Sequence, residues 1–186
     1  MQFKKVMRFF RYTALAATFA CVVGALSSCG KEETQTNSIE AQNALIESFI
    51  KTTKLTDSVQ KSGDIWFNRF KKGAGSAIQV GDKVTLHYVL SVVENSTTLR
   101  PFNTSIESVA KANSLDNPFA KYDPITVVVG KSGLPKGFDQ GLLSLFDGDA
   151  AQLLFPSSCA YGGSAIGAVP ANSAVGVRIY ILKVER

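Results

Sequence analysis

The chain has 186 residues, which is enough for one domain with a hydrophobic core and additional segments. Its composition is that of a globular protein, with 45% hydrophobic and 19% charged residues. The net charge of +5 lies mainly at the start, because Lys4, Lys5, Arg8 and Arg11 all precede the first acidic residue, Glu32. Removing these four of the 20 basic residues leaves 16 against 15 acidic ones. No basic surface remains for phosphates, so a nucleic-acid partner is not expected.

Residues 1–28 have the order of a secretory targeting segment. A basic start, "MQFKKVMRFFRY", precedes the apolar run "TALAATFACVVGAL". This run is shorter than the roughly 20 apolar residues that span a membrane. The next residues, "LSSC", resemble the lipobox of bacterial lipoproteins. The resemblance implies a signal peptide over residues 1–28 and a lipid on Cys29, which would anchor the chain to a membrane. A plain secretory signal and an uncleaved anchor are the alternatives.

Residues 29–37 read as a polar tether, "CGKEETQTN". The Lys-Glu-Glu after Cys29 resembles the export signal of Bacteroidetes surface lipoproteins. It implies a lipid anchor in the bacterial outer membrane, with the protein either periplasmic or surface-exposed. The alternative is a tether without any export role.

The cysteines and histidines argue against several kinds of site. Cys159 is the single thiol after Cys29, so no disulfide is expected within the folded part. His87 is the single histidine, which makes a Cys/His zinc site or a Cys–His catalytic pair improbable. The sequence therefore predicts neither a metal nor a cofactor.

The mature part predicts an α+β fold, because strands precede and follow one short helix. An amphipathic helix is predicted over 38–53, capped by Ser38, with Leu45, Ile46 and Phe49 on its apolar face. A second helix is predicted over 135–145, and one or two helical turns are expected between 105 and 124. Alternating or β-branched segments predict strands over 64–70, 83–93, 124–130, 150–156 and 174–185.

Five segments in order resemble the FKBP-type peptidyl-prolyl cis-trans isomerases. They are "GDKVTLHY", "FNTS", "VVGKSGLPKGFDQGL", "DGDAAQLLFPSSCAYGG" and "AVPANSAVGVRIYILKVE". The likeness runs from Ile78 to Glu185. It implies a twisted antiparallel sheet wrapped over one short helix in residues 78–186. Residues 38–77 then form an N-terminal helical extension and a leading strand.

The resemblance also implies an activity, namely cis-trans isomerisation of proline-containing polypeptide segments during protein folding outside the cytoplasm. The catalytic positions that it assigns are Tyr161, Tyr88, Phe102 and Phe138. The positions that it assigns to substrate binding are Asn103, Ile125, Val127, Leu134, Pro135, Ile166, Ala168, Val169 and Val177. A role in the core alone is the alternative for Tyr88, Ile125, Val127 and Val177.

Four positions depart from the family pattern. Asn103 stands in place of an aspartate, Phe138 in place of a tryptophan, and Val177 in place of a phenylalanine. Pro135 lacks the backbone N–H that the family uses to bind a ligand carbonyl, although proline suits a helix start. Asn103, Pro135 and Val177 favour an alternative function, a non-catalytic binding module on the same fold. A structural lipoprotein is a third possibility. Because every pocket position follows Ile78, the helix over 38–53 is expected to be dispensable for the pocket, and it offers a stripe for self-association.

Overall fold

A computed structural model describes residues 38–186, which belong to one compact unit. Three helices are present in this part of the chain: α1 (Ile39–Thr52), α2 (Glu107–Ala112) and α3 (Lys136–Leu142). The strands are β1 (Val59–Ser62), β2 (Ile65–Lys71), β3 (Lys83–Val93), β4 (Leu99–Thr104), β5 (Ile125–Val128), β6 (Ala150–Phe155) and β7 (Val175–Glu185). A short 3₁₀ turn, Ser157–Cys159, follows β6. The predicted targeting segment and the predicted polar tether lie outside the described residues.

All seven strands form one antiparallel sheet, in which six follow the order β1-β2-β6-β7-β3-β4 and β5 pairs with β3 beside them. The 11-residue strand β3 pairs with β7. It also pairs with β5 through its first half and with β4 through its second half. The long, alternating "KVTLHYVLSVV" thus provides the strand to which three others are hydrogen-bonded.

Helix α3 packs closely against β6 because two of its residues lack side chains. A Cβ atom on Gly137 would lie 2.6 Å from the Phe155 ring, and one on Gly141 would meet the Leu153 side chain. The two glycines are four residues apart and therefore share one face of the helix. Phe138 and Leu142 of the same helix are fully buried in the main core.

Helix α1 packs on the opposite face of the sheet. Leu153 belongs to the main core, whereas the next residue, Leu154, packs with Ile46 and Phe49 of α1. Successive side chains of a strand point to opposite faces. Strand β6 is therefore buried on both faces, which explains why every residue of "AAQLLF" is buried.

The predicted fold class is confirmed, and the predicted strands and the helix over 38–53 are present within two residues of their expected ends. Ser38 caps α1, since its Oγ accepts a hydrogen bond from Ala41 N at 3.1 Å. Sequence analysis missed two strands, β1, whose "VQKS" carries little apolar pattern, and β4, whose "LRPFNT" contains a proline. The described residues contain no helix that is long and apolar enough to cross a membrane.

Helix α3 is shorter than the predicted 135–145. Pro135 is its N-cap rather than a helical residue, with φ −51° and ψ 142°. After Leu142 the chain continues in tighter turns, in which Ser144 N donates to Gly141 O and Leu145 N to Leu142 O. Each end of the prediction was therefore too long by one to three residues.

Candidate active site

Three half-buried aromatic residues from separate elements meet at one edge of the main core. Tyr88 lies on β3, Phe102 lies on β4, and Tyr161 follows the 3₁₀ turn. The rings of Phe102 and Tyr161 pack edge to face, with centroids 6.2 Å apart and an interplanar angle of 71°. We call these three residues the aromatic cluster. The structure thus brings together three of the four predicted catalytic residues as an open apolar surface.

Asn103 supports the cluster by fixing the Tyr88 ring. The Tyr88 hydroxyl donates a hydrogen bond to Asn103 Oδ1 at 2.9 Å. A carboxamide oxygen is a sufficient acceptor for this bond, so the uncharged residue at this position keeps the contact. Among the described residues, no group is hydrogen-bonded to the Tyr161 hydroxyl. That hydroxyl remains available to a ligand.

The backbone of Tyr88 is held by two hydroxyl side chains that sequence analysis did not assign. Thr104 Oγ1 donates to Tyr88 O at 2.8 Å, and Tyr88 N donates to Ser105 Oγ at 2.9 Å. Ser105 Oγ also lies 3.0 Å from His87 Nδ1, which gives the single histidine a structural partner. The "TS" that follows Asn103 was the available signal, since both hydroxyls lie where β4 ends beside β3.

The fourth predicted catalytic residue, Phe138, is fully buried and forms part of the core beneath the cluster. Val127 and Val177 are also buried in this core. Ile125 and Leu134 are half-buried and pack against it beside the cluster. The arrangement is a floor of fully buried apolar side chains with a rim of partly exposed ones.

Pro135 is buried where the chain enters α3. Its carbonyl oxygen accepts hydrogen bonds from Phe138 N at 2.8 Å and from Asp139 N at 3.4 Å. Leu134 N donates to Ser132 Oγ at 3.1 Å, so the neighbouring donor is also occupied. The backbone groups at the helix start therefore already have hydrogen-bond partners, and proline offers no N–H to a ligand at this position.

The loop after Tyr161 contains the remaining predicted residues, and the structure separates them. Val169 is buried, whereas Ile166 is 50% exposed and Ala168 is exposed. Ile166 and Val169 exchange two backbone hydrogen bonds of 3.0 Å, which close a small turn. None of the three belongs to the main core cluster beneath the aromatic residues.

Two contacts that tie surrounding segments to the site have no local sequence signal. Arg100 Nη2 of β4 donates to Ala168 O at 3.2 Å and connects the loop to the strand that carries Phe102. Gln42 Oε1 of α1 accepts a hydrogen bond from Ser157 N at 2.7 Å. Ser157 O in turn accepts from Ala160 N and Gly162 N, the two residues that flank Tyr161. Helix α1 is thereby joined to the turn that presents Tyr161.

The electrostatics of the site favour neutral groups. Burial raises the pKa of both Tyr88 and Tyr161 above 10.0, and the neighbouring Tyr88 adds to the effect on Tyr161. Both hydroxyls are therefore protonated at neutral pH, and Tyr161 is a hydrogen-bond donor. Within residues 38–186 there is no group of three or more His, Cys, Asp or Glu residues placed to hold a metal ion.

A comparison with protein families gives a match over the part of the chain that contains this site. The model of the family described as FKBP-type peptidyl-prolyl cis-trans isomerase matches residues 75–181. The chain belongs to this family. The matched FKBP domain contains all 13 residues that the resemblance assigned to catalysis and substrate binding, and it leaves out α1, β1 and β2.

Individual relatives agree with the family. The chain is 33% identical over 85 residues to the short-type peptidyl-prolyl cis-trans isomerase of Methanocaldococcus jannaschii, covering 46% of this chain and 51% of the relative. It is 30% identical over 115 residues to FK506-binding protein 4 of Chaetomium thermophilum, covering 62% of this chain and 20% of the relative. The chain thus spans about half of the length of the first relative and a fifth of the length of the second.

Among solved structures, FkpA from Escherichia coli has a similar fold. The TM-score is 0.59 at 18% identity, over 82% of this chain and 63% of that one. At this identity the likeness concerns the fold alone. It extends beyond the FKBP domain, because 82% coverage is more than residues 75–181 account for.

Proposed function

We propose that this protein is a peptidyl-prolyl cis-trans isomerase that acts on proline-containing segments of proteins folding outside the cytoplasm. The observation that carries the proposal is the aromatic cluster over a fully buried apolar floor, with the Tyr161 hydroxyl open to a ligand. The family membership of residues 75–181 supports the same activity.

The chemistry requires little beyond such a surface. Rotation about an X–Pro bond is slow because amide resonance gives the C–N bond partial double-bond character, with a barrier of about 18–20 kcal/mol. The twisted transition state has less charge separation than the planar amide, so an apolar site with little water stabilises it preferentially. An acceleration of about 10⁵-fold corresponds to about 7 kcal/mol of transition-state stabilisation.

The residues then have distinct roles. Tyr88 and Phe102 form walls for the prolyl ring, and Asn103 fixes the orientation of Tyr88. The Tyr161 hydroxyl donates a hydrogen bond to a substrate carbonyl and thereby helps to hold the twisted bond. Burial raises the pKa of Tyr161 from its ordinary value, which further favours the protonated, donating form of the hydroxyl. No proton leaves the enzyme in this scheme.

The test of the site is a pair of tyrosine variants of the full-length protein. Tyr161→Phe removes a hydroxyl and almost no volume, and we expect catalysis to fall about two- to tenfold, the equivalent of one hydrogen bond. Tyr180→Phe is the matched control, since Tyr180 packs edge to face against Phe70 of β2 and is not part of the aromatic cluster. An equal effect of both variants, or no effect of Tyr161→Phe, would exclude this role for the hydroxyl.

A non-catalytic binding module is the second candidate, and two observations favour it. Pro135 provides no N–H at the start of α3, and Val127 and Val177 contribute aliphatic rather than aromatic surface to the floor. Such a module would bind proline-containing segments without changing the rate of isomerisation. Measuring binding and exchange of the same peptide distinguishes the two functions.

The proposed location is the bacterial outer membrane, where a lipid on Cys29 anchors the protein in the manner of Bacteroidetes lipoproteins. It rests on the "LSSC" and "KEE" patterns of residues outside the described part. Several acyl chains would give stable anchoring, at about 0.8 kcal/mol for each buried CH₂. Cells supplied with labelled fatty acid should label the natural protein but not Cys29→Ala. Label on the variant would contradict the proposal.

A further inference from the structure

A second concave surface lies beside the aromatic cluster. It is a groove of about 220 Å³ between β4 and residues 113–123, the segment that connects α2 to β5. Phe102 and Asn103 form one wall, while Leu115, Asn117 and Tyr122 belong to the other. We call it the side groove. Its lining contains no charged residue, and it shares Phe102 with the candidate active site.

The wall formed by residues 113–123 is held in shape by its own hydrogen bonds. The Tyr122 hydroxyl accepts from Asn117 N at 2.8 Å and donates to Leu115 O at 3.4 Å. Asn117 also accepts two hydrogen bonds from the turn after Pro118, through Oδ1 from Phe119 N at 2.9 Å and through its carbonyl from Ala120 N at 3.0 Å. The groove is therefore formed before any ligand arrives, which lowers the entropic cost of binding.

Phe119 stands at the tip of this segment with 94% of its surface exposed. It directly precedes Ala120, which lines the groove. A fully exposed phenylalanine in an ordered turn gains no burial from the fold itself. Its ring is available to cover a chain that enters the groove.

We propose that the side groove binds the residues that flank the proline in the same polypeptide substrate. This inference rests on the proposed function. Its basis is continuity, because Phe102 is a wall of both surfaces and an extended chain that leaves the aromatic cluster past Phe102 enters the groove directly. The lining fits uncharged flanking residues, since its amides and hydroxyls can form hydrogen bonds but it holds no charged side chain to pair with a buried charge. The groove therefore makes the enzyme favour longer, neutral segments over short peptides.

The test compares two peptides with the same X–Pro core, one a tetrapeptide and the other extended on both sides by uncharged residues. In the full-length protein, Ala120→Glu places a charged side chain in the groove, and Phe119→Ser removes the exposed ring. We expect each variant to lower kcat/KM for the extended peptide about fivefold. The tetrapeptide should be isomerised at the natural rate. Val80→Ser is the control, because Val80 is also a strongly exposed apolar residue but does not line the groove.

Equal effects on both peptides, or unchanged kcat/KM for the extended one, would overturn the inference. NMR titration of the protein with the extended peptide separates the groove inference from the isomerase proposal. If the natural protein accelerates neither peptide, the isomerase proposal fails, while a shift of the Asn117 side-chain amide that Ala120→Glu abolishes still supports the groove as a binding surface. Absence of that shift overturns the groove. A shift that follows protein concentration without peptide would also overturn it, since a second copy of the chain would then be the occupant.

Discussion

At the residue scale, Pro135 meets two opposing requirements. As N-cap it starts α3 with its carbonyl doubly hydrogen-bonded, and it is buried above the core. The family resemblance places at this position an N–H that binds a ligand carbonyl. The fold therefore gains a rigid helix start while the site loses one donor.

Replacing this proline tests whether the missing N–H limits the rate of isomerisation. Pro135→Ile restores the N–H, and its backbone angles of −51° and 142° lie within reach of isoleucine. We expect isomerisation to rise about two- to tenfold, the equivalent of one hydrogen bond of 0.5–1.5 kcal/mol. The control is Pro124→Ile, which removes an exposed proline just before β5. If both variants left the rate unchanged, the missing donor would not limit the site.

At the scale of elements, α1 shows what local sequence predicts and what it does not. Its apolar stripe and its Ser38 cap were evident from the spacing of residues. Its contact with the site was not, because Gln42 and Ser157 are 115 residues apart and only the folded sheet brings them together. The helix was expected to be dispensable for the pocket, whereas this hydrogen bond links it to the turn that carries Tyr161.

We therefore predict that Gln42 influences the site as well as stability. Gln42→Met keeps the size of the side chain but leaves the buried Ser157 N–H without its acceptor, at a cost of about 1–3 kcal/mol. Ile46→Val, in the same helix, should cost about 0.5–1.5 kcal/mol without disturbing Ser157. Urea denaturation and the rate of isomerisation are measured for both. A rate that falls only in Gln42→Met, under conditions where both remain folded, supports the link. A natural rate in Gln42→Met would show that α1 contributes stability alone.

At the scale of the whole molecule, the division between residues 38–77 and 78–186 remains a prediction. The packing argues that residues 78–186 do not fold without the strand that precedes them. Strand β2 pairs with β6 in the middle of the sheet, and its Ile65 and Phe67 belong to the main core. We expect a chain that begins at residue 76 to lose cooperative unfolding, because it lacks these contacts. A chain that begins at residue 38 should unfold cooperatively. Circular dichroism during heating distinguishes them, and a cooperative transition in the shorter chain would show that the FKBP domain folds alone.

The sequence predicted the fold well because alternation and helical spacing are local, and the resemblance supplied the order of the segments. It named Tyr88, Phe102 and Tyr161, which the structure brings together. It did not predict that Asn103 holds Tyr88, since that depends on how β4 lies beside β3. Nor did it predict the side groove, because residues 113–123 carry no periodic pattern and their shape comes from the hydrogen bonds of Tyr122 and Asn117.

The most direct test of the central claim is the exchange rate between the cis and trans forms of one X–Pro bond, measured by NMR in a peptide with and without the full-length protein. This measurement needs no coupled protease, so weak catalysis remains visible. The account predicts faster exchange in proportion to protein concentration, and a further increase with Pro135→Ile. An exchange rate equal to the uncatalysed one for both the natural protein and Pro135→Ile would contradict the isomerase proposal and leave the binding module.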